Sequence, residues 1–158
     1  MISQILSRIR IVSLQNPSRK NVLDIFSEYE KHQLETIRKD FEQQITSLID
    51  GCWAYSKYLL SIKHFETSVF YHKHQMFVLE NISNLEHKNF IDVVGYIDDI
   101  ALVLSEYTQG TIYSFEAVSK NFELMLKTIE LNGKENNIPI KLGLGSQESE
   151  MEIKVAGR

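Results

Sequence analysis

FIDVVGYIDDIALVLSEY, residues 90–107, is the stretch on which the reading of the fold turns. The run is mostly apolar, yet Asp92, Asp98 and Asp99 interrupt it. Adjacent carboxylates between apolar flanks are costly to bury without a partner. Val93, Val94, Ile97, Ile100 and Val103 crowd the segment and leave no polar face. Gly95 would weaken a helix here by about 1 kcal/mol. The expectation is therefore two strands, turning at Ile97-Asp98-Asp99. One helix over residues 86–108 is the competing reading.

Working outward, residues 21–44 carry Val22, Phe26, Tyr29, Ile37 and Phe41 at helical spacing, with charges between. ITSLID (45–50) ends at Gly51 and reads as a short strand or the last turns of that helix. Phe65, Val69, Met76 and Leu79 predict a helix over 65–86, and Ile112, Phe115, Phe122, Met125 and Ile129 another over 111–132. Asn132-Gly133 would stop the latter. Alternation at Ile138, Ile140, Leu142 and Leu144, then at Met151, Ile153 and Val155, predicts a hairpin. The expected organisation is an N-terminal helical segment, 1–44, followed by a core, 45–158.

The chain has 158 residues, 43% hydrophobic and 24% charged, as in a soluble globular protein. No apolar run reaches the roughly 20 residues that span a bilayer, and no signal-peptide pattern opens the sequence. A lone cysteine, Cys52, excludes a disulfide framework within the chain, and a cytoplasmic setting is expected. The first 20 residues hold Arg8, Arg10, Arg19 and Lys20 and no acid, which leaves 13 basic and 21 acidic residues beyond them. That acidic body argues against nucleic acid as a partner. Ile2, Ile5, Leu6 and Ile9 would share one face of a small basic helix, packed on its own domain or on a partner subunit.

These elements give a β-α-β-β-α-β order, the ferredoxin-like split βαβ arrangement of an α+β fold. There the end of the first strand lies beside the turn of the second and third. Asp50 would then meet Asp98 and Asp99 at one sheet edge. Clustered carboxylates without His or Cys favour Mg²⁺ or Mn²⁺, and a divalent ion would offset the cost of burying them.

At this point residues 45–156 resemble the class III nucleotidyl cyclase domain, a palm-type fold. ITSLIDGCWAYSKY is similar to that family's first strand and turn. VVGYIDDIALV is similar to its strand hairpin, and LNGKENNIPIKLGLGSQESEMEIKVAG to the following helix end and strands. The resemblance implies conversion of a nucleoside triphosphate to a 3′,5′-cyclic nucleotide and pyrophosphate by two-metal catalysis. Asp50 and Asp99 would hold two Mg²⁺ or Mn²⁺ ions, with the Gly51 carbonyl as a further ligand and Asp98 as the alternate. Gly51, Cys52, Trp53 and Tyr55 would line the triphosphate, and the domain would act as a homodimer. Gly95 stands where purine cyclases carry a base-reading Lys or Glu. That points to a pyrimidine cyclase of bacterial antiphage signalling, with a cyclic-nucleotide effector protein downstream. The family's Asn and Arg that contact ribose and phosphate fall beyond Arg158.

Other readings are weaker. Tyr96-Ile97-Asp98-Asp99 fits the YxDD box of reverse transcriptases, but the chain is short and acidic for template binding. His72 and His74 lack the i, i+4 spacing of a helical metal pair and read as surface histidines. Cys52 reads as a small buried side chain, and Trp53 and Tyr55 read as core or as stacking residues. The alternative from a different class is a non-catalytic helical or cyclase-like interaction module.

Overall fold

A computed structural model describes residues 26–79, 82–147 and 149–150. The basic N-terminal stretch and the expected final strand at 151–155 lie outside them. The chain divides into two units, Met1–Gln43 and Gln44–Arg158. In the first, α1 spans Glu28–Gln43. Its start follows from Ser27 and Glu30: the Ser27 hydroxyl accepts from the Glu30 amide (3.3 Å), and the Glu30 carboxylate accepts from the Ser27 amide (2.8 Å). Lys39–Glu35 and Arg38–Glu42 pairs run along its surface.

The second unit holds two sheets. Strands β1 (Thr46–Ser47), β2 (Trp53–Tyr55) and β3 (Tyr58–Leu60) form an antiparallel meander. Tyr55, Phe65, Phe70 and Tyr58 pack as a chain of tilted and edge-on rings behind it. β4 (Phe90–Asp92), β5 (Ile112–Phe115) and β6 (Asn137–Ile140) form a parallel sheet in the order β4-β5-β6. Parallel neighbours need crossovers. These are α2 (Asp99–Leu104) and α3 (Ser119–Asn132), so residues 90–140 make a βαβαβ unit.

Segment 90–107 is thus a short strand (Phe90–Asp92), a turn-rich connection and a short helix (Asp99–Leu104), and the split βαβ palm is not formed. The cause is burial. Ala101, Leu102 and Val103 are fully buried and Leu104 nearly so. A short helix covered on all sides is apolar all round, and such a run resembles a buried strand. The expected helix over 65–86 also fails. A π-helical turn (Thr67–Tyr71) and two 3₁₀ turns (Lys73–Val78, Ile82–Leu85) replace it. Lys73, His74 and Gln75 all have positive φ, which breaks the helical path. The expected 111–132 helix is a strand, Ile112–Phe115, followed by a helix. It ends as anticipated, with Gly133 left-handed at φ 58°. IPI does form a strand, but it pairs parallel with β5.

Two glycines permit close approach. A Cβ on Gly110 would lie 2.4 Å from the Lys88 carbonyl oxygen. That contact is bridged by Thr108, whose hydroxyl donates to the same carbonyl (2.6 Å) and accepts from the Gly110 amide (2.8 Å). On Gly95 a Cβ would lie 2.5 Å from the Met125 methyl and 3.1 Å from Ser114 Cβ. Gly95 therefore lets the β4–α2 connection cross directly over β5, held by its amide donating to the Phe115 carbonyl (2.8 Å). Met76, Ala101, Leu104 and Ile112 form the apolar core beside this crossing.

Candidate functional site

The carboxyl edge of a parallel sheet is where α/β folds place ligands. Here β4 ends at Asp92, and the connection to α2 runs over that edge through Val93–Asp98. Two of its residues take the left-handed conformation, Tyr96 (φ 47°) and Asp98 (φ 70°). Non-glycine residues are held there only by surrounding structure. The holding contacts are the Asp98 amide donating to the Gly95 carbonyl (2.6 Å) and the Leu102 amide donating to the Asp98 carbonyl (3.0 Å).

Asp99 opens α2 with only 6% of its surface exposed. Burial pushes its carboxyl up to about 6, against the pull of His64 and with a push from Glu66. His64 also meets the Tyr96 ring edge-on at 4.9 Å and lies 3.6 Å from the Glu66 carboxylate. Val93 and Val94, just past β4, are exposed. The edge therefore offers an apolar lip, a half-buried tyrosine, a histidine and a carboxylate.

Beneath it lies a buried polar cluster. Asp98 is fully buried, and Asn137 on β6 donates from Nδ2 to Asp98 Oδ2 at 2.7 Å. Burial pushes the Asp98 carboxyl up to about 7, while Ser114 and Asn137 draw it down and the charges of Asp92 and Asp99 add to the rise. Burial also raises Asp92, with the Val94 amide and His74 pulling the other way. Asp92 Oδ2, Asp98 Oδ1, Ser114 Oγ and Asn137 Oδ1 are buried and without a hydrogen-bond partner in the protein.

The other anticipated site residues lie on the antiparallel sheet. Asp50 and Gly51 are exposed in a tight turn, at φ 67° and 73°. Cys52 is buried, its Sγ 4.0 Å from the Asp50 carbonyl oxygen. Trp53 is half-buried under Lys63, and Tyr55 is buried among Phe65 and Phe70. Gly95 and Asp98 lie instead on the β4–α2 connection and Asp99 opens α2. Sequence reasoning missed His64, Tyr96, Ser114 and Asn137 as members of one neighbourhood. A tyrosine two residues before a carboxylate pair, in Tyr96-Ile97-Asp98-Asp99, was the available signal for Tyr96.

No known protein family and no curated protein matches the sequence. Solved structures match part of the chain. TYW2 from M. jannaschii in complex with AdoMet is 21% identical and matches over 61% of this chain and 41% of its own, with a TM-score of 0.42. The M. jannaschii tRNA m1G37 methyltransferase is 15% identical, over 64% and 30% of the two chains, at 0.43. Trm5b from Pyrococcus abyssi is 14% identical, over 61% and 27%, at 0.41. The chain spans less than half the length of each.

None of the three is a nucleotidyl cyclase. The sheet topology itself overturns the cyclase expectation, its lyase chemistry and its role in cyclic-nucleotide antiphage signalling. The catalytic hairpin that the cyclase reading requires is a strand followed by a helix. The interaction-module alternative, drawn as a helical or cyclase-like domain, falls with it. The expectation of two Mg²⁺ or Mn²⁺ ions fails as well: among the described residues no three His, Cys, Asp or Glu are grouped to hold a metal. Asp50 lies in the turn between β1 and β2 and Asp99 at the start of α2, and Asp98 faces an asparagine. Among the described residues no helix is long and apolar enough to cross a membrane.

Proposed function

We propose that the carboxyl edge of β4 and β5 binds a nucleoside-class ligand bearing a cationic or hydroxyl-rich group and no phosphate. The observation that carries this reading is Asp99, a nearly buried carboxyl facing His64 at a strained ligand-side turn. An ionised carboxylate at a strand end accepts hydrogen bonds from a ribose diol or faces a cation. Tyr96 and the exposed Val93 and Val94 would receive the planar base. Phosphate is disfavoured here. The usual phosphate seat is a helix N-terminus, and α2 begins with Asp98 and Asp99, beside Asp92 and Glu66.

AdoMet, bound in the TYW2 structure, and adenosine, bound in a similar solved structure of Methanocaldococcus jannaschii Trm5, meet that description. Each carries a ribose diol, and AdoMet adds a sulfonium cation. When bound, AdoMet supplies an electrophilic methyl group. This chain's part would be to hold ribose and cation against Asp99 and to turn phosphates away. Asp99 and Gly95 keep a place in this site. Asp50, Gly51, Cys52, Trp53 and Tyr55 have no assigned part in it.

Titration calorimetry with AdoMet, adenosine and ATP tests the reading. AdoMet and adenosine should bind, ATP at least about tenfold more weakly, and Asp99→Asn should weaken AdoMet binding by about tenfold, near 1.4 kcal/mol. Binding of ATP as tight as that of AdoMet would overturn it, as would no binding of AdoMet or adenosine.

A further inference from the structure

The polar cluster beneath the β4–α2 connection has too few donors for its acceptors. Asp92 Oδ2, Asp98 Oδ1 and Asn137 Oδ1 are buried acceptors without partners. The Asn137 amide already gives a proton to Asp98 Oδ2. That leaves the second N–H of that amide and the Ser114 hydroxyl to serve three oxygens. An unpaired buried polar group loses its hydration with nothing in return, and more is lost when it is charged, so a fully ionised cluster would be poorly held. One more proton relieves the shortage, and the carboxyl placed to carry it is Asp98, the only fully buried carboxyl among the described residues.

Every element around Asp98 fits this. β4 presents Asp92, β5 presents Ser114, β6 presents Asn137, and Asp99 follows on its own helix. α3 contributes Met125, an apolar side chain against Gly95 and Ser114. Farther out, His74 acts on Asp92, and His64 and Glu66 act on Asp99. The groups acting directly on Asp98 include no cation; the neutral Ser114 and Asn137 favour its ionised form, and burial outweighs them.

We infer that Asp98 is a positioning residue: as the neutral acid it latches the turn carrying Tyr96 and Asp99 onto β5 and β6, and ionisation releases the latch. The inference uses the ligand-free protein, so it stands or falls separately from the ligand reading.

Two measurements test it on the whole chain. The first follows the ¹³C carboxyl resonance of Asp98 and the amide resonance of Tyr96 with pH. Both should move with one midpoint near 7, well above the ordinary carboxylate value of about 4. The second is melting temperature against pH. A raised folded-state pKa gives stability that is complete below the unfolded pKa and lost as pH rises toward the folded one. The wild-type Tm should fall between about pH 4 and 7. In Asp98→Asn, whose amide supplies the missing donor at every pH, the fall should shrink and its upper limit should move down toward the Asp99 midpoint near 6. An Asp98 midpoint near 4, or a Tyr96 amide that ignores the titration, would overturn the inference. So would an unchanged Tm profile in a folded Asp98→Asn. If that variant does not fold, the wild-type resonances decide.

Discussion

Beside the antiparallel sheet, the buried ionic and amide side chains have their partners, although the Ser61 and Thr128 hydroxyls do not. Beneath the parallel sheet, several do not. The Tyr58 hydroxyl lies between the Glu106 carboxylate and the Lys73 ammonium, and Lys57 pairs with the same Glu106 at 2.9 Å. Asn132 accepts from the Leu59 amide (3.0 Å) and donates to the carbonyls of Leu59 and Thr128 (both 2.7 Å). It ties α3 to β3 through every polar atom of its side-chain amide. Across the molecule, Asn137 makes one such bond and leaves its oxygen unpaired, as do Asp92 and Asp98. The difference separates architecture from site. A satisfied polar network rigidifies a fold, and a partly satisfied one marks where a proton or ligand has work.

The comparison can be broken at its apolar base. Phe70 is fully buried and touches Tyr55, Tyr58 and Phe65. Phe70→Ala should cost about 3–5 kcal/mol in urea unfolding. Next comes Asn132→Ala, which strands the Leu59 backbone groups. It should cost about 1–3 kcal/mol while AdoMet binding, measured on the folded fraction, stays within about twofold. Asp99→Asn should do the reverse, leaving the melting temperature near wild type at pH 6 and weakening binding. Were Asn132→Ala to abolish binding as fully as Asp99→Asn, the division between the sheets would be wrong.

Acid titration sharpens the same contrast with opposite signs. Burial raises the Glu106 carboxyl, but Tyr58, Lys57 and Lys73 outweigh it and hold it below the ordinary range. A depressed carboxylate gives stability that is present above its unfolded pKa and lost as pH falls through the folded one. The antiparallel side should therefore weaken below about pH 4.5, whereas the Asp98 and Asp99 side strengthens as pH falls from about 7 toward 4. Glu106→Gln should remove the acid-side loss and leave the decline toward neutral pH intact.

How much of this was legible in the sequence varies with the physics at each place. The helix ending at Asn132-Gly133 was legible, because its apolar spacing and left-handed stop are local signals. Strand β5 was hidden, since Ile112 and Phe115 sit three apart and extend the helical pattern. Helix α2 was hidden because complete burial removes the polar face that gives a helix its period. The break at Lys73–Gln75 has no glycine or proline to announce it.

For the site, the need of Asp98 for a partner was readable from its apolar flanks. The partner was not: it is an asparagine 39 residues downstream, brought close by parallel pairing of β5 and β6. A metal was the wrong remedy for a cost that burial meets by holding the acid neutral.

Calorimetric titration of AdoMet and of ATP into the whole chain, each with and without a divalent-metal chelator, tests the central claim most directly. The account predicts that AdoMet binds, that the chelator leaves its affinity unchanged, and that ATP binds at least about tenfold more weakly in both conditions. ATP binding that equals that of AdoMet, or AdoMet binding that disappears with the chelator, would contradict it.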